Sequence, residues 1–215
     1  MTEEMIRYYA QQARNYDRFH KQSFDEVDVQ AIIKMLHDTF LDKRVYEVAC
    51  GTGRWTQYVA QVAKEVYAID LNEEMLELCR EREYPSDAVT FARANAYSFN
   101  NTTIVKFNGG LVGFWLSHVD KKRMAEFLTG FHSWLSTGAI VIMFDDIQTL
   151  DRQTASRIDQ FGNRFEIRTL PNGERFEIIE NFFTRDGLIN LVQLFGTNLQ
   201  YSEMGDKWII RYAIK

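Results

Sequence analysis

The fold is decided by the stretch Val45-Tyr46-Glu47-Val48-Ala49-Cys50-Gly51-Thr52-Gly53-Arg54-Trp55-Thr56. It joins an apolar run that contains one acid to two closely spaced glycines, and a helical pattern of apolar residues follows. This order predicts a strand, a tight turn and the start of a helix. Glycines let a backbone take φ values that side chains forbid, and the exposed N–H groups of a helix start favour a polar or anionic ligand. The stretch is therefore predicted to bind a nucleotide-type ligand.

Length, charge and composition limit the classes of protein to which the chain can belong. Its 215 residues are 46% hydrophobic, which suits a single α/β domain with a sizeable core. The net charge of -5 leaves no broad basic surface, so we expect no nucleic-acid partner. The N-terminus lacks an apolar signal segment, and no run reaches the ~20 apolar residues of a membrane span. We therefore expect no membrane partner and a cytoplasmic location.

The two cysteines of the chain are Cys50 and Cys79. Their spacing is neither that of metal ligands nor that of a disulfide framework, so we expect no metal site and a reducing compartment. The oligomeric state is not determined by any pattern in the sequence.

Helical and strand patterns alternate on both sides of the glycine stretch. The apolar spacing of the first forty residues predicts two amphipathic helices. Five units of strand then helix follow, and such a series predicts a parallel sheet covered by helices. The predicted strands are 45–49, 66–69, 89–92, one within 104–115, and 139–144. The predicted helices between them are 56–66, one that starts at Asn72 and stops before Pro85, and 120–135, with Gly138 marking its end.

The pattern changes in the C-terminal third of the chain. Segments 164–169 and 175–179 alternate apolar and polar residues around Pro171-Asn172-Gly173, which predicts a β-hairpin. A short helix through 188–194 and two final strands, 197–201 and 208–214, come next. A turn at 204–206 makes an antiparallel pair the simplest arrangement of these two strands.

The glycine turn distinguishes between two kinds of nucleotide site. No third glycine follows Gly53, which disfavours a dinucleotide-binding turn. The order Glu47, three residues, Gly51, one residue, Gly53 instead resembles the first motif of the class I S-adenosylmethionine-dependent methyltransferases. Ala49 stands where those enzymes usually have a further glycine, which implies slightly less room. The resemblance implies that these four residues and Cys50 contact the cofactor S-adenosyl-L-methionine.

Three further segments are similar to motifs of that family and come in the same order. Asp70-Leu71 resembles the acidic end of strand two, whose carboxylate accepts from both ribose hydroxyls. Asn95-Ala96 stands where the family commonly has Asp-Ala at the adenine amino group, and segment 113–119 is similar to the strand-four end beside the adenine and the sulfonium. The resemblance covers residues 44–146 and adds these predicted cofactor contacts: Asp70, Leu71, Asn95, Ala96, Phe114 and Trp115.

The resemblance also implies an architecture. The expected fold is an α/β, Rossmann-like sandwich: a seven-stranded, mostly parallel sheet with an antiparallel C-terminal strand and helices on both faces. Within one methyltransferase domain, 1–215, residues 1–42 are expected to form a helical lid and 43–146 the cofactor-binding core. Residues 160–182 are expected to be a hairpin insertion on the acceptor side, and 183–215 the C-terminal helix and antiparallel strands.

Methyl transfer from a sulfonium is an in-line displacement, which needs positioning and exclusion of water and requires no metal. His118, just past strand four, is the candidate general base for an acceptor hydroxyl or amine. The alternative is a histidine that lies beside the cofactor and moves no proton. We expect O- or N-methylation of a small molecule, because no nucleic-acid-binding or peptide-docking appendage is recognisable. The candidate side chains on the acceptor side are Tyr8, Tyr9, Tyr16, Ser117, His118 and Asp145.

Three other functions are compatible with parts of the sequence. A nicotinamide-dependent oxidoreductase would use a similar sheet, but the missing third glycine argues against it. A catalytically silent cofactor-binding or regulatory protein would keep the same site residues. A tRNA or rRNA base methyltransferase often carries Asn/Asp-Pro-Pro-Tyr/Phe after strand four, where this chain has Leu116-Ser117-His118-Val119. Neither the acceptor nor the methylated atom is determined by the sequence.

Overall fold

The structure is a computed structural model that describes residues 2–22, 25–85, 88–98 and 106–215, without the side chains of residues 18–22. Residues 104 and 105, which begin the segment expected to contain the fourth strand, lie outside the described residues. No described helix is both long enough and apolar enough to span a lipid bilayer.

Helices and strands alternate along the described chain. The helices are α1 (Glu3–Gln22), α2 (Glu26–Phe40), α3 (Thr56–Val59), α4 (Glu73–Arg80), α5 (Met124–Ser133) and α6 (Arg185–Val192). The strands are β1 (Arg44–Val48), β2 (Glu65–Asp70), β3 (Val89–Arg93), β4 (Phe107–Gly113), β5 (Leu135–Asp146), β6 (Arg157–Ile158), β7 (Arg164–Thr169), β8 (Arg175–Ile179), β9 (Gly196–Met204) and β10 (Lys207–Ile214). Short 3₁₀ turns occupy Leu116–His118, Lys121–Arg123 and Leu150–Arg152.

Seven of the strands form one sheet in the order β3-β2-β1-β4-β5-β10-β9. Strand β10 runs antiparallel to both of its neighbours, whereas the pairs from β3 to β5 are parallel. The expected seven-stranded sheet with an antiparallel C-terminal strand is therefore confirmed. The direction of the strand order reverses between β1 and β4. Open α/β sheets bind ligands at the carboxyl ends of the strands beside such a switch point.

Both faces of the sheet are buried beneath helices. Successive residues of a strand point to opposite faces, so Val45 packs in the cluster beneath α2 and Tyr46 packs in the cluster beneath α5. Helix α2 starts at the N-cap Asp25, whose side chain accepts from the backbone N–H of Val27. Because both faces are buried, the sequences of the central strands are nearly continuous runs of apolar residues.

The predicted helix 56–66 was wrong in length, because α3 ends at Val59. The N–H groups of Gln61 and Val62 bond to the carbonyls of Tyr58 and Val59, three residues back. The chain therefore tightens into turns that bring it round to the start of β2 at Glu65.

The predicted boundary at Gly138 was also wrong. Helix α5 ends at Ser133, and β5 already begins at Leu135. Gly138, with a φ of 78°, lies inside β5, where the pairing with β4 shifts register. The glycine therefore permits an irregularity in the strand, which a pattern of helix-ending residues does not distinguish from a helix stop.

A second sheet, in the order β6-β7-β8, stands beside the first one. The predicted hairpin is confirmed as β7 and β8, whereas β6 was not predicted. Helix α1 packs on this sheet through Met5, which is fully buried in a cluster with Phe165 and Phe176. The contact holds α1 between the hairpin sheet and the ligand edge of the main sheet.

Candidate functional site

Three cavities open at the carboxyl ends of β1, β2, β4 and β5. The large cavity, of about 570 Å³, lies between α1, the end of β5 and the hairpin sheet. The Asp70 cavity is about 40 Å³ and the Glu47 cavity about 20 Å³, each named after an acid in its wall. Tyr16 of α1 lines all three cavities. The side chain of Tyr16 thus lies where they meet.

Asp70, the last residue of β2, holds the glycine turn through both of its carboxylate oxygens. Its Oδ2 accepts from the N–H of Gly51 at 3.0 Å, and its Oδ1 accepts from the N–H of Asn72 at 2.8 Å. A carboxylate has about four acceptor sites, so Asp70 retains acceptor capacity in the wall of the Asp70 cavity. Burial raises the pKa of Asp70, and the backbone hydrogen bonds partly oppose that rise.

Glu47 of β1 is only 3% exposed and lines the Glu47 cavity. Its Oε2 has no hydrogen-bond partner among the described residues, and burial raises the pKa of its carboxyl group to about 8. A buried acid in this state is stabilised by any donor that enters the cavity, above all by a cation. Arg54 lines the same cavity, with its guanidinium 5.4 Å from the centre of the Trp55 ring. The Glu47 cavity therefore presents an acid and a guanidinium together.

Two residues in the cavity walls have a backbone conformation that side chains disfavour. Ala49 has a φ of 54° and Phe114 a φ of 53°. The left-handed region costs a residue with a Cβ about 1–2 kcal/mol. The N–H of Phe114 donates to the carbonyl of Phe144 at 2.9 Å, which helps to hold this conformation. Ala49 thus carries a conformational cost that glycine would not.

The second glycine of the turn serves packing rather than the cavity wall. Gly53 has a φ of 76°, and a Cβ there would lie 2.5 Å from Tyr84 Oη and 2.8 Å from Cys79 Sγ. Cys50 Sγ is 3.9 Å from Cys79 Sγ, and the hydrogen bond between the thiols together with burial raises the pKa of Cys50 well above its usual range. Cys50 is therefore a packed thiol and not a nucleophile.

Helix α1 is fastened to the glycine turn by one polar cluster. Asp17 accepts from Thr52 Oγ1 at 2.5 Å and pairs with the guanidinium of Arg82. Arg82 also donates through Nε to the carbonyl of Thr52 at 2.5 Å. These contacts join α1, the turn and the segment after α4, and they keep Tyr16 beside Gly51.

His118 lies in the 3₁₀ turn after β4 and is 7% exposed. Its Nε2 is 2.6 Å from Tyr9 Oη, and its Nδ1 is 2.7 Å from the carbonyl oxygen of Ile179. A carbonyl only accepts, so we assign the ring proton to Nδ1, and Nε2 of the neutral ring then accepts from the hydroxyl of Tyr9. His118 thereby connects the core sheet to α1 and to β8.

Buried charges line the hairpin side of the large cavity. Glu180, 3% exposed, accepts from Arg168 at 2.8 Å and lies 3.3 Å from the guanidinium of Arg152. Burial alone would raise the pKa of Glu180, but the charged groups around it, which include the guanidinium groups of Arg168 and Arg152, outweigh the burial and lower the pKa. Glu180 is therefore an ionised carboxylate close to His118.

Asp145, near the end of β5, is a second buried acid, and its pKa shifts upward whereas that of Glu180 shifts downward. Asp145 is 2% exposed, and burial raises the pKa of its carboxyl group to about 8. Its oxygens accept from the backbone N–H groups of Ser117 and Asp146, both at 2.9 Å. Ser117 Oγ is buried and has no hydrogen-bond partner in the described part of the chain. This polar pair faces the large cavity.

The structure gathers most of the predicted site residues around the cavities. The predicted cofactor residues that line the two small cavities are Glu47, Ala49, Cys50, Gly51, Asp70, Phe114 and Trp115. All the candidates for the acceptor side line the large cavity: Tyr8, Tyr9, Tyr16, Ser117, His118 and Asp145. Four predicted cofactor residues lie at the same edge without lining any of the three cavities: Gly53, Leu71, Asn95 and Ala96. Asn95 is exposed, and its Oδ1 accepts from the N–H of Tyr97 at 3.0 Å.

Several cavity residues were missed by the sequence analysis. They are Gln12, Arg54, Asn72, Met75, Arg152, Arg168, Glu180 and Lys207. Arg54 and Asn72 directly follow recognised motifs, and that adjacency was a usable signal. Arg152, Arg168 and Glu180 carry no local signal, because only tertiary folding brings the hairpin to the sheet edge. Within the described residues, no group of three or more His, Cys, Asp or Glu side chains could hold a metal ion.

Residues 45–138 match the family model of a methyltransferase domain. This segment, which is less than half of the chain, is therefore similar to a methyltransferase domain. The matched segment contains the glycine turn, Asp70 and His118, so it includes most of the residues that line the two small cavities. No curated protein sequence matches this chain.

Solved structures with the same fold include several methyltransferases. A DhpI–SAH complex has a TM-score of 0.81 at 23% identity, covering 99% of this chain and 96% of that one. A DhpI–SAM–HEP complex has a TM-score of 0.79 at 24% identity, covering 98% and 96%. The N-methyltransferase NodS from Bradyrhizobium japonicum WM9, with S-adenosyl-L-homocysteine, has a TM-score of 0.62 at 14% identity, covering 88% and 86%. At these identities the likeness establishes the fold of this chain over almost its whole length.

The left-handed conformation of Ala49 predicts that Ala49→Gly stabilises the protein. Glycine removes the Cβ penalty but gains unfolded-state entropy, so we expect the free energy of unfolding to rise by up to about 1 kcal/mol. Urea unfolding followed by circular dichroism measures this change. Ala63→Gly, at a residue without positive φ, is the control and should lower stability by about 0.5–1 kcal/mol. If Ala49→Gly lowered the free energy of unfolding as much as the control does, the left-handed conformation of Ala49 would not be strained.

Proposed function

We propose that this protein transfers the methyl group of S-adenosylmethionine to a hydroxyl or amine of a small molecule. The observation that carries the proposal is the unpartnered Oε2 of Glu47, which shares its cavity with Arg54. An acid and a guanidinium in one small cavity complement the ammonium and carboxylate groups of a free amino acid. The methionine part of the cofactor ends in this pair of charges.

Asp70 complements the other half of the cofactor. Its carboxylate, which already accepts from backbone N–H groups of the turn and of Asn72, has remaining acceptor capacity for the hydroxyls of a ribose. The Asp70 cavity adjoins the Glu47 cavity, because Ala49, Gly51 and Phe114 line both. A ligand that spans both cavities would therefore carry a ribose at one end and an amino acid at the other. When bound, the cofactor supplies an electrophilic methyl group.

The large cavity supports a small acceptor. Its volume of about 570 Å³ lies within the usual range for small-molecule pockets, and it lies between α1 and the hairpin sheet. Its wall contains carboxylates and guanidinium groups as well as tyrosine hydroxyls, which suits a polar compound. The structural neighbours agree with this proposal, since one is described as a complex with SAM and HEP and another as an N-methyltransferase.

Incubation with methyl-labelled S-adenosylmethionine tests the transfer reaction. We expect the wild-type protein to label a compound in the low-molecular-weight fraction of a bacterial metabolite extract, because the large cavity has the volume of a small-molecule pocket. Asp70→Ala should abolish the labelling, whereas Asp186→Ala on the exposed side of α6 should not affect it. Label found only in RNA or protein fractions would contradict a small-molecule acceptor. Cofactor binding without any labelled product would indicate a silent cofactor-binding protein.

Proton release on cofactor binding tests the role of Glu47. Its carboxyl group, with a pKa raised to about 8 by burial, is mostly protonated at pH 7 and should ionise when an ammonium group enters. We expect S-adenosylhomocysteine to release close to one proton at pH 7, measured calorimetrically in buffers of different ionisation enthalpy. Glu47→Gln should remove this release and weaken binding. Equal proton release by the wild type and the variant would show that the amino group binds elsewhere.

A further inference from the structure

The hydrogen bonds around His118 have one consistent direction. Because Nδ1 must donate to the carbonyl of Ile179, the neutral ring has its lone pair at Nε2, which faces Tyr9 Oη. The surrounding protein raises the pKa of Tyr9 well above its usual value, so the side chain is a phenol and donates its proton to His118. The oxygen of Tyr9 then has free lone pairs in the large cavity, which it lines.

Charged side chains surround the ring of His118. The carboxylate of Glu180 lies close enough to interact electrostatically with His118. The carbonyl of Ile179 can accept from Nδ1 both of a neutral ring and of an imidazolium. The guanidinium groups of Arg152 and Arg168 are both paired with Glu180 and Glu166, which reduces their repulsion of a charged ring.

We infer that Tyr9 and His118 form a proton relay that removes a proton from the methyl acceptor. Tyr9 is the catalytic residue that touches the acceptor, and His118 is a positioning residue that receives the proton through it. The inference rests on the proposed function and deepens it. It requires that the methylated atom carry a proton, as in a hydroxyl or an N–H group, and excludes an acceptor such as a thioether or a tertiary amine.

The step balances in atoms and charge. The acceptor oxygen or nitrogen uses a lone pair to form a bond to the methyl carbon. The carbon–sulfur bond breaks at the same time, and the electron pair of that bond goes to sulfur. The acceptor proton moves to Tyr9 Oη as the phenol proton moves to Nε2 of His118. The positive charge of the sulfonium is thereby replaced by that of an imidazolium beside Glu180, and solvent removes the proton after product release.

The two members of the relay come from different parts of the chain. Tyr9 belongs to α1, whereas His118 follows β4, so their hydrogen bond exists only when α1 lies against the hairpin sheet. Glu4 accepts from the backbone N–H of Glu177 at 2.7 Å, and Arg7 pairs with Glu174 at 3.0 Å, which holds α1 there. The relay therefore depends on the packing of α1 against the hairpin sheet.

Nuclear magnetic resonance of ¹⁵N-histidine-labelled protein with S-adenosylhomocysteine tests the geometry of the relay without the acceptor. We expect His118, assigned with His118→Gln, to carry its proton on Nδ1. Tyr9→Phe should move the Nε2 resonance of His118 toward that of an unbonded nitrogen. Tyr201→Phe, which removes a bonded hydroxyl outside the site, should move neither nitrogen. A proton on Nε2, or no response to Tyr9→Phe, would overturn the relay while leaving cofactor binding intact.

The rate at which the small-molecule fraction becomes labelled tests whether Tyr9 and His118 act as a unit. We expect Tyr9→Phe and His118→Gln each to lower kcat by about 10²–10⁴-fold, with the KM for S-adenosylmethionine within a few-fold of the wild type. The double variant should be no slower than the slower single variant, because either substitution breaks the same relay. Losses that multiply in the double variant, or losses confined to KM, would contradict the relay. Tyr201→Phe is again the matched control.

Discussion

The two hydrogen bonds from backbone N–H groups to the carboxylate of Asp70 are the constraint on which the site depends. They tie the glycine turn after β1 to the end of β2 and to the start of α4, so the positions of these three elements are fixed relative to one another. The turn can then approach a ligand closely, and Glu47 is left facing a small cavity. The carboxylate of Asp70 thus holds the turn in place before any ligand binds, and it keeps acceptor capacity for a ribose.

The rest of the site is built from parts distant in sequence. The sheet edge supplies Glu47, Asp70 and Asp145, whereas α1 supplies Tyr9 and Tyr16 from the beginning of the chain. The strained conformations at Ala49 and Phe114 occur where strands end at the cavities, and strain of this kind often accompanies function. Buried acids with raised pKa values near 8 are a further cost that a bound cation would relieve.

Sequence patterns predicted the sheet well because its central strands β4 and β5 are mostly buried apolar runs, and Gly51, Gly53 and Asp70 are locally spaced. They failed for α3 and for Gly138, where turns and a strand irregularity use residues that also begin or end helices. The acceptor side was predicted only partly. Ser117 and His118 follow a recognisable strand, but Glu180 reaches the cavity through tertiary packing of the hairpin, which no local pattern encodes.

A crystal structure with S-adenosylhomocysteine tests most directly the claim that the small cavities hold the two ends of the cofactor. The account predicts both ribose hydroxyls within hydrogen-bond distance of Asp70 and the amino nitrogen within hydrogen-bond distance of Glu47 Oε2. It also predicts that the sulfur faces the large cavity, on the side of Tyr9 Oη. A ligand whose amino group lies away from Glu47, or whose sulfur faces away from Tyr9, would contradict the account.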